Sequence, residues 1–242
     1  MRIVVVSPPR SGNHWTKCLL GYLYGLNELR EKETFVVNPR TLRHADRAHR
    51  FPDGVIDHMH ARFTPKLVAE LEALPAHVVT AVRDPYDLFL SYYRWVQTRS
   101  PKLGNGVRTA DQRPRSRMVG RPLDDPEVLA YLAEDFGDLL NRGNGWLHSG
   151  RAIPLRYEDL HADPAAALKR VSEQIQPVDQ VVIEEAIAAC QIDLYLKVRP
   201  DMAHTVRSGK VGESRQQLTE AHLRIFRERW ADLIVSLGYP VR

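Results

Sequence analysis

Residues 3–15 of the chain read IVVVSPPRSGNHW, and this stretch predicts a buried strand, a short loop and the start of a helix. Its four consecutive β-branched residues, Ile3 to Val6, are typical of a strand that is covered on both faces. Pro8 and Pro9 end the strand, because proline has no N–H to donate to a neighbouring strand. From about His14 the spacing of apolar residues becomes helical, so the stretch predicts a strand–loop–helix unit.

The loop of this unit has the composition of an anion-binding site. The first N–H groups of a helix have no partners inside the helix, and the helix dipole adds to their attraction for an anion. Arg10 contributes a positive charge, Ser11 a hydroxyl, and Gly12 allows the backbone to approach a ligand closely. The lysine followed by Ser or Thr of the nucleotide P-loop is missing. Taken alone, the stretch fits an ordinary strand-to-helix turn equally well.

The composition is that of a globular protein with a full-sized core. The 242 residues are 43% hydrophobic and 26% charged, which favours one large domain over residues 1–242. The 34 Lys and Arg against 30 Asp and Glu give a formal charge of +4. An excess this small suits a small anionic ligand and does not indicate nucleic acid as a partner.

The cysteine content and the absence of apolar runs predict a cytoplasmic location. Cys18 and Cys190 are the two cysteines, and we expect neither a disulfide framework nor a metal site from them. Met1 leads directly into a β-rich run that is too short for a signal-peptide core. No apolar run is long enough to span a bilayer, so we expect no membrane association.

Strands that alternate with helices predict an α/β fold with three layers, α/β/α, around a central parallel sheet. The strands are expected at 3–6, 54–58, 77–82 and 152–156. Helices are expected at 15–26, 65–74, 86–96, 126–147, 164–175 and 178–190, and a last helix is N-capped by Thr219. Residues 28–50 have no assignment, and residues 193–213 are expected to be mostly irregular.

The segment at about 99–121 predicts a flexible basic loop. It holds seven basic residues and one acidic residue, with several Gly and Pro and almost no apolar side chain. Such a composition cannot form a packed core by itself. Either an acceptor lid or a solvated linker would have this composition.

A second strand-to-helix junction lies in the stretch VRDPYDLFLSYY. Arg83 leaves the end of a predicted strand, and Ser91 lies on the helix that follows. In an open parallel sheet, ligands bind at the carboxyl ends of the strands, so both junctions face the same edge. Two anion sites at one edge indicate a ligand with two separate anionic groups. A surface ion pair of Arg83 with Asp84 is the structural alternative.

Four motifs of the sequence resemble those of the cytosolic-type sulfotransferases, which use 3′-phosphoadenosine 5′-phosphosulfate (PAPS). PPRSGNHW resembles their 5′-phosphosulfate loop, P-K-S-G-T-T-W, and VRDPYDLFLSYY resembles their 3′-phosphate motif, in which Arg and Ser are eight residues apart. LRYEDLHADP resembles their Y-E-D segment, and VRSGKVGESR resembles their C-terminal R-x-G-x-x-G loop. The motifs occur in the family order between residues 8 and 215, which covers nearly the whole chain.

The resemblance implies a P-loop NTPase-like sulfotransferase fold and a set of PAPS-binding residues. The 5′-phosphosulfate is expected at the first junction, the 3′-phosphate at the second junction and the C-terminal loop, and the adenine beside a tyrosine. The implied residues are Arg10, Ser11, Gly12, Asn13, His14, Trp15, Arg83, Ser91, Tyr157, Arg207, Ser208 and Gly209.

The resemblance also implies the catalytic residues Arg10, His60 and His58. Arg10 stands where the family has a lysine, and we expect it to stabilise charge on the leaving phosphate without donating a proton. The family has its general base in a K-T-H segment, and HMH occupies that place here. His60 aligns with the base and His58 with the lysine, and His58 remains a second candidate for the base.

The implied reaction moves the sulfuryl group of PAPS to a hydroxyl or amine of a small-molecule acceptor by in-line displacement. Adenosine 3′,5′-bisphosphate is the product, and no metal is required. An anionic acceptor would suit the basic loop, and the oligomeric state remains open. The alternatives are a P-loop-related kinase of a small molecule and a nucleotide-binding protein that has lost catalysis.

Overall fold

The computed structural model describes residues 1–28, 51–99, 114–198, 200 and 209–242. Over these residues the chain packs as two compact units, one formed by Met1–Arg83 with Arg142–Pro200, the other by Asp84–Asn141 with Asp201–Arg242. The predicted organisation as one domain over residues 1–242 stays a prediction.

The first unit contains a five-stranded sheet in which every pairing is parallel. Its strands are β1 (Arg2–Val6), β2 (Asn27–Glu28), β3 (Val55–Met59), β4 (Ala76–Val82) and β5 (Ile153–Arg156). They lie in the order β2-β3-β1-β4-β5, so the strand of the opening stretch is central. Ile3 of β1 is in register with Ile56 of β3 and with His77 of β4. The four expected strands are therefore confirmed, and the short β2 is an addition.

Helices cover both faces of this sheet, because the side chains of β1 alternate between two cores. Ile3 and Val5 face the core shared with α1 (Asn13–Tyr24), α7 (Pro164–Ile175) and α8 (Gln180–Ala189). Val4 and Val6 face the core shared with α2 (Pro65–Glu72) and with Trp146 of α5 (Gly137–Leu147). The predicted three-layer α/β/α architecture is confirmed.

The second unit is helical and is built around aromatic side chains. It contains α3 (Pro85–Arg99), a 3₁₀ helix (Pro114–Met118), α4 (Pro126–Glu134), α10 (Ser214–Gln217) and α11 (Glu220–Ser236). Phe89 of α3 packs edge-on against Phe136 and Phe226, and all three are buried. Thr219 is the N-cap of α11, as predicted, and forms a capping box with His222.

Two helix predictions are wrong in their extent. Residues 126–147 form two helices, because Phe136 turns into the aromatic core after α4 and α5 begins one residue later. The segment 193–213 was expected to be mostly irregular, but it includes most of α9 (Ile192–Val198). Helix α6 (Tyr157–Ala162) lies before α7 in the chain. Ile192 and Leu194 are exposed, so α9 lacks the buried apolar stripe by which periodicity reveals a helix.

The two cysteines form a disulfide, which corrects the expectation drawn from the cysteine content. Cys18 lies in α1 and Cys190 follows the last residue of α8, with their Cα atoms 5.8 Å apart. The bond joins two helices on the same face of the sheet. The cysteines therefore give no support to the predicted cytoplasmic location.

The described part of the basic segment is ordered by contacts within the second unit. Met118 of the 3₁₀ helix is fully buried, and Arg117 forms ion pairs with Glu134 of α4 and with Asp135. Gln97 donates to the carbonyl of Met118 at 2.6 Å. The predicted flexible loop otherwise falls on residues 100–113, outside the described residues.

Within the described ranges, none of the helices combines the length and the apolar character needed to cross a membrane.

Candidate active site

The loop between β1 and α1 contains two residues whose backbone is in the left-handed region. Arg10 has φ 78° and Gly12 has φ 90°, and Gly12 is the N-cap of α1. A positive φ is unfavourable for arginine, and such strain is often found at functional sites. Helix α1 begins at Asn13, two residues before the expected range of 15–26.

The side chain of Asn13 holds the loop from inside. Its Nδ2 donates to the carbonyl of Pro8 at 3.1 Å, and its Oδ1 accepts a hydrogen bond from the Ser7 hydroxyl. Asn13 and Ser7 are both buried. The resemblance implies that Asn13 binds PAPS, and the structure shows that its side chain also shapes the loop.

The hydroxyl of Ser11 fits the expected anion site. Ser11 is 1% exposed, and its Oγ has no hydrogen-bond partner among the described residues. A buried hydroxyl without a partner is unfavourable unless a ligand or water satisfies it. Its place directly before the N-terminus of α1 suits a phosphate or sulfate oxygen, which the helix dipole also favours.

Arg83 lies at the end of β4 and reaches the same loop. Its Nη1 donates to the carbonyl of Arg10 at 3.2 Å. Its guanidinium carbon lies 4.4 Å from the centre of the Tyr157 ring, which is a cation–π contact. The structure thus brings together three of the predicted residues, Arg10, Arg83 and Tyr157, at the carboxyl edge of the sheet.

Tyr157 packs directly against Gly12. A Cβ atom added to Gly12 would lie 2.6 Å from Cδ2 of the tyrosine ring, a distance that real side chains do not adopt. The Trp15 ring meets Tyr157 edge-on, with centroids 6.1 Å apart. Tyr157 is buried, so in this structure it supports the loop at the start of α1.

His60 follows β3 and is bound to the end of β1. Its Nδ1 lies 2.8 Å from the carbonyl oxygen of Ser7. Because a carbonyl only accepts, Nδ1 carries the proton, and Nε2 of the neutral ring is left as an acceptor. Arg142 of α5 donates to the backbone carbonyl of His60 at 2.7 Å. A neutral ring with an accepting Nε2 has the form that a general base needs.

The rings of His14, His58 and His60 lie next to one another at this edge of the sheet. The ring of His58 is 5.1 Å from that of His60 and 5.1 Å from that of His14, both edge-on. Burial, followed by the effect of the neighbouring His58, lowers the pKa of His60 to about 3. Burial, followed by the charge of His58, lowers the pKa of His14 to about 2. Both rings are therefore neutral at physiological pH.

Lys17 and Asp57 form a buried ion pair beside these histidines, and sequence reasoning missed both. Nζ of Lys17 lies 3.7 Å from Oδ1 of Asp57 and 3.2 Å from Oε2 of Glu28. Oδ1 of Asp57 is also 3.5 Å from Nδ1 of His58. The signal was present: Lys17 lies in the buried part of α1, and charged residues are rarely buried without partners.

The remaining predicted residues belong to the second unit or lie outside the described residues. Ser91 is partly buried on α3, and Gly209 has a left-handed φ of 64°, both in the second unit. Arg207 and Ser208 lie outside the described residues. Within the described ranges, no three His, Cys, Asp or Glu side chains are placed to hold a metal ion.

The sulfotransferase domain family matches residues 1–234. The chain belongs to the sulfotransferase family. The match covers almost the whole length and confirms the family that the four motifs indicate. A comparison with curated protein sequences finds no significant match.

Solved structures confirm that this sulfotransferase has the expected fold. The mouse sulfotransferase SULT7A1, crystallised with PAP, has a TM-score of 0.68 at 15% identity, over 96% of this chain and 83% of that one. Retinol dehydratase in complex with androsterone and the inactive cofactor PAP has a TM-score of 0.63 at 13% identity, over 96% of this chain and 80% of that one. Retinol dehydratase in complex with retinol and PAP has a TM-score of 0.62 at 13% identity, over 100% of this chain and 82% of that one. At such low identity these similarities concern the fold.

Proposed function

We propose that this sulfotransferase transfers the sulfuryl group of PAPS to a hydroxyl or amine of a small-molecule acceptor. The observation that carries the proposal is the buried hydroxyl of Ser11, which has no hydrogen-bond partner in the described part of the chain and lies in the left-handed loop before α1. PAP in the solved relatives supports the choice of donor. When bound, PAPS would supply the sulfuryl group and a bisphosphate leaving group.

Arg10 and the first amides of α1 would stabilise negative charge on the leaving phosphate. A cation fixed beside that oxygen stabilises the transition state more than the ground state, because the charge grows as the bond breaks. Arginine remains charged at every working pH, so Arg10 acts through charge and hydrogen bonds and not as an acid.

His60 is the proposed general base. Its Nδ1 is bound to the carbonyl of Ser7, and its Nε2 is free to accept the proton of the acceptor. The displacement attaches the acceptor oxygen or nitrogen to sulfur, releases adenosine 3′,5′-bisphosphate and leaves one proton on Nε2. His58 is the second candidate for the base, and its Nδ1 lies 3.5 Å from the Asp57 carboxylate.

The remaining assignments follow the sequence resemblance. Arg83, Ser91, Arg207, Ser208 and Gly209 are proposed to bind the 3′-phosphate, and Tyr157 to lie beside the adenine. The acceptor is proposed to be a small molecule, neutral or anionic, and neither nucleic acid nor a membrane is an expected partner. A cytoplasmic location stays a prediction, without support from the cysteines.

The test is sulfuryl transfer from PAPS to a panel of phenols, alcohols and amines, with EDTA present throughout. We expect formation of adenosine 3′,5′-bisphosphate that depends on both acceptor and enzyme. A magnesium-dependent kinase would be inactive in EDTA and would consume ATP when magnesium is restored. Tight binding of the bisphosphate without turnover of any acceptor would instead indicate a protein that has lost catalysis.

A further inference from the structure

The buried carboxylate of Asp87, in the first turn of α3, holds the C-terminal loop of the second unit. Its Oδ2 accepts a hydrogen bond from the backbone N–H of Gly212 at 2.5 Å, and its Oδ1 accepts one from Ser214 at 2.9 Å. Asp87 is 3% exposed and Ser214 is 1% exposed. Hydrogen bonds to an ionised carboxylate are about twice as strong as neutral ones. The bond from Ser214 is buried and the bond from Gly212 is partly buried, which strengthens both.

The loop needs such a partner because its backbone is irregular. Gly209 and Gly212 both have left-handed φ values, 64° and 83°. The N–H groups of Gly212 and Ser214 precede or begin the short helix α10, where no carbonyl of that helix can accept from them. Asp87 thus supplies from another helix the acceptors that the loop lacks.

A second contact holds the same loop to the same helix. Arg94 of α3 lies 2.6 Å from the carboxylate of Glu213, the residue between the two amides that Asp87 binds. Asp84, directly before α3, accepts hydrogen bonds from the N–H groups of Tyr86 and Asp87 and lies 2.5 Å from Arg242. The N-terminal turn of α3 is therefore itself fixed, and the carboxylate of Asp87 has a rigid base.

We propose that Asp87 is a positioning residue for the nucleotide: it sets the conformation in which the loop that contains Gly209 meets the 3′-phosphate. The proposal rests on the proposed function, which assigns that phosphate to this loop. Asp87 has both carboxylate oxygens occupied by backbone N–H groups, so it acts through the loop and not by contact with the ligand. Because Asp87 keeps the loop ordered in the free protein, binding of the nucleotide does not incur the entropy cost of ordering the loop.

Asp87→Asn tests this role with little change in shape. The amide keeps one acceptor but turns an NH₂ group toward an N–H, so one of the two loop contacts is lost. Asp232→Asn, the same change at an exposed site on α11, is the matched control. Two measurements are made: hydrogen–deuterium exchange of the loop peptide without nucleotide, and affinities for adenosine 3′,5′-bisphosphate and adenosine 5′-phosphate.

We expect the Asp87→Asn variant to exchange faster at Gly212 and Ser214, with α11 unchanged. Its affinity for the bisphosphate should fall about tenfold or more, and its affinity for the monophosphate, which lacks the 3′ group, should stay within twofold. With saturating PAPS, kcat should be nearly normal while KM for PAPS rises. The Asp232→Asn variant should match the wild type in every measurement.

Unchanged bisphosphate affinity in the Asp87→Asn variant, or an equal loss for both nucleotides, would overturn the proposal. If the Asn variant does not fold, Asp87→Glu replaces it, because the longer carboxylate keeps the charge but displaces both acceptors, and the same selective loss is expected. Failure of the wild type to bind the bisphosphate would refute the proposed function instead, while the exchange measurement would still test the contact.

Discussion

Nδ1 of His60 lies 2.8 Å from the carbonyl oxygen of Ser7, so the residue after β3 is bound to the residue after β1. The two strands are neighbours in the parallel sheet, and Ser7 also donates its N–H to the carbonyl of Met59 at 3.1 Å. This pair of hydrogen bonds joins the proposed base to the loop proposed to bind the phosphosulfate. Its consequence is that one tautomer of His60 is selected before any ligand binds.

Replacing His60 should abolish most of the activity without affecting nucleotide binding. Because a positioned base accelerates proton transfer by roughly 10²–10⁴-fold, we expect kcat of the His60→Asn variant to fall by about that factor. Its affinity for adenosine 3′,5′-bisphosphate should stay within threefold of the wild type. Steady-state kinetics and calorimetric titration measure the two quantities.

The exposed His148 offers a matched control, as His148→Asn should retain full activity. If the His60→Asn variant were active and the His58→Asn variant inactive, the general base would be His58.

Acidification should destabilise the protein through His14 and His60. Burial lowers both pKa values in the folded state, to about 2 and about 3, while both are near 6.5 in the unfolded chain. Between these values the unfolded state binds more protons, so the free energy of unfolding should fall as the pH decreases from about 6.5 toward 3. The contribution of the two histidines to the free energy of unfolding is expected to be complete above pH 6.5.

Urea unfolding at a series of pH values measures this slope. The His14→Asn variant should show a shallower decrease between pH 6.5 and 4, because one of the two buried groups no longer titrates, and the His148→Asn variant should follow the wild type. A slope that is the same in all three proteins would show that His14 is not buried as described.

Gly12→Ala should disrupt the loop more than a left-handed glycine alone explains. A Cβ at Gly12 would collide with the ring of Tyr157, and the φ of 90° is itself costly for alanine. Gly150→Ala is the matched control, since Gly150 has φ 65° but nothing within 4 Å of the added carbon. We expect about 1 kcal/mol of destabilisation at Gly150 and roughly 1–3 kcal/mol more at Gly12.

Chemical denaturation gives both values, and binding of adenosine 3′,5′-bisphosphate should be weakened only in the Gly12→Ala variant. Equal destabilisation by the two substitutions would contradict the close contact between Gly12 and Tyr157.

Reduction of the Cys18–Cys190 disulfide should lower thermal stability. The bond closes a sequence separation of 172 residues, and its loss frees the unfolded chain, which typically costs about 2–4 kcal/mol. Thermal unfolding with and without dithiothreitol should show a lower Tm in the reduced protein. A double variant with alanine at both positions should be insensitive to the reductant. Two titratable thiols in the denatured, untreated protein would mean that the disulfide does not form.

The β-branched run of β1 and the alternation of strands and helices were sufficient to predict the three-layer fold. Burial on both faces of a parallel sheet imposes a continuous apolar run, and this local signal needs no knowledge of the neighbours. The motifs are local signals too: the residues of each motif, such as Arg10 to Gly12, are contiguous in the chain. Their order along the sequence could therefore indicate the family. The break at Phe136 escaped prediction, because it depends on where an aromatic core receives that side chain.

The sequence alone predicted four of the five described strands, the start of the first helix to within two residues, and which residues follow the strand ends. Only the tertiary structure decided that Tyr157 supports Gly12, that Lys17 pairs with Asp57, and that Asp87 holds Gly212 and Ser214. These contacts join residues far apart in the chain, and a linear pattern carries no information about such distances. The pairing of Cys18 with Cys190 belongs with them: its partners are brought together by the packing of α1 against α8, which no local periodicity encodes.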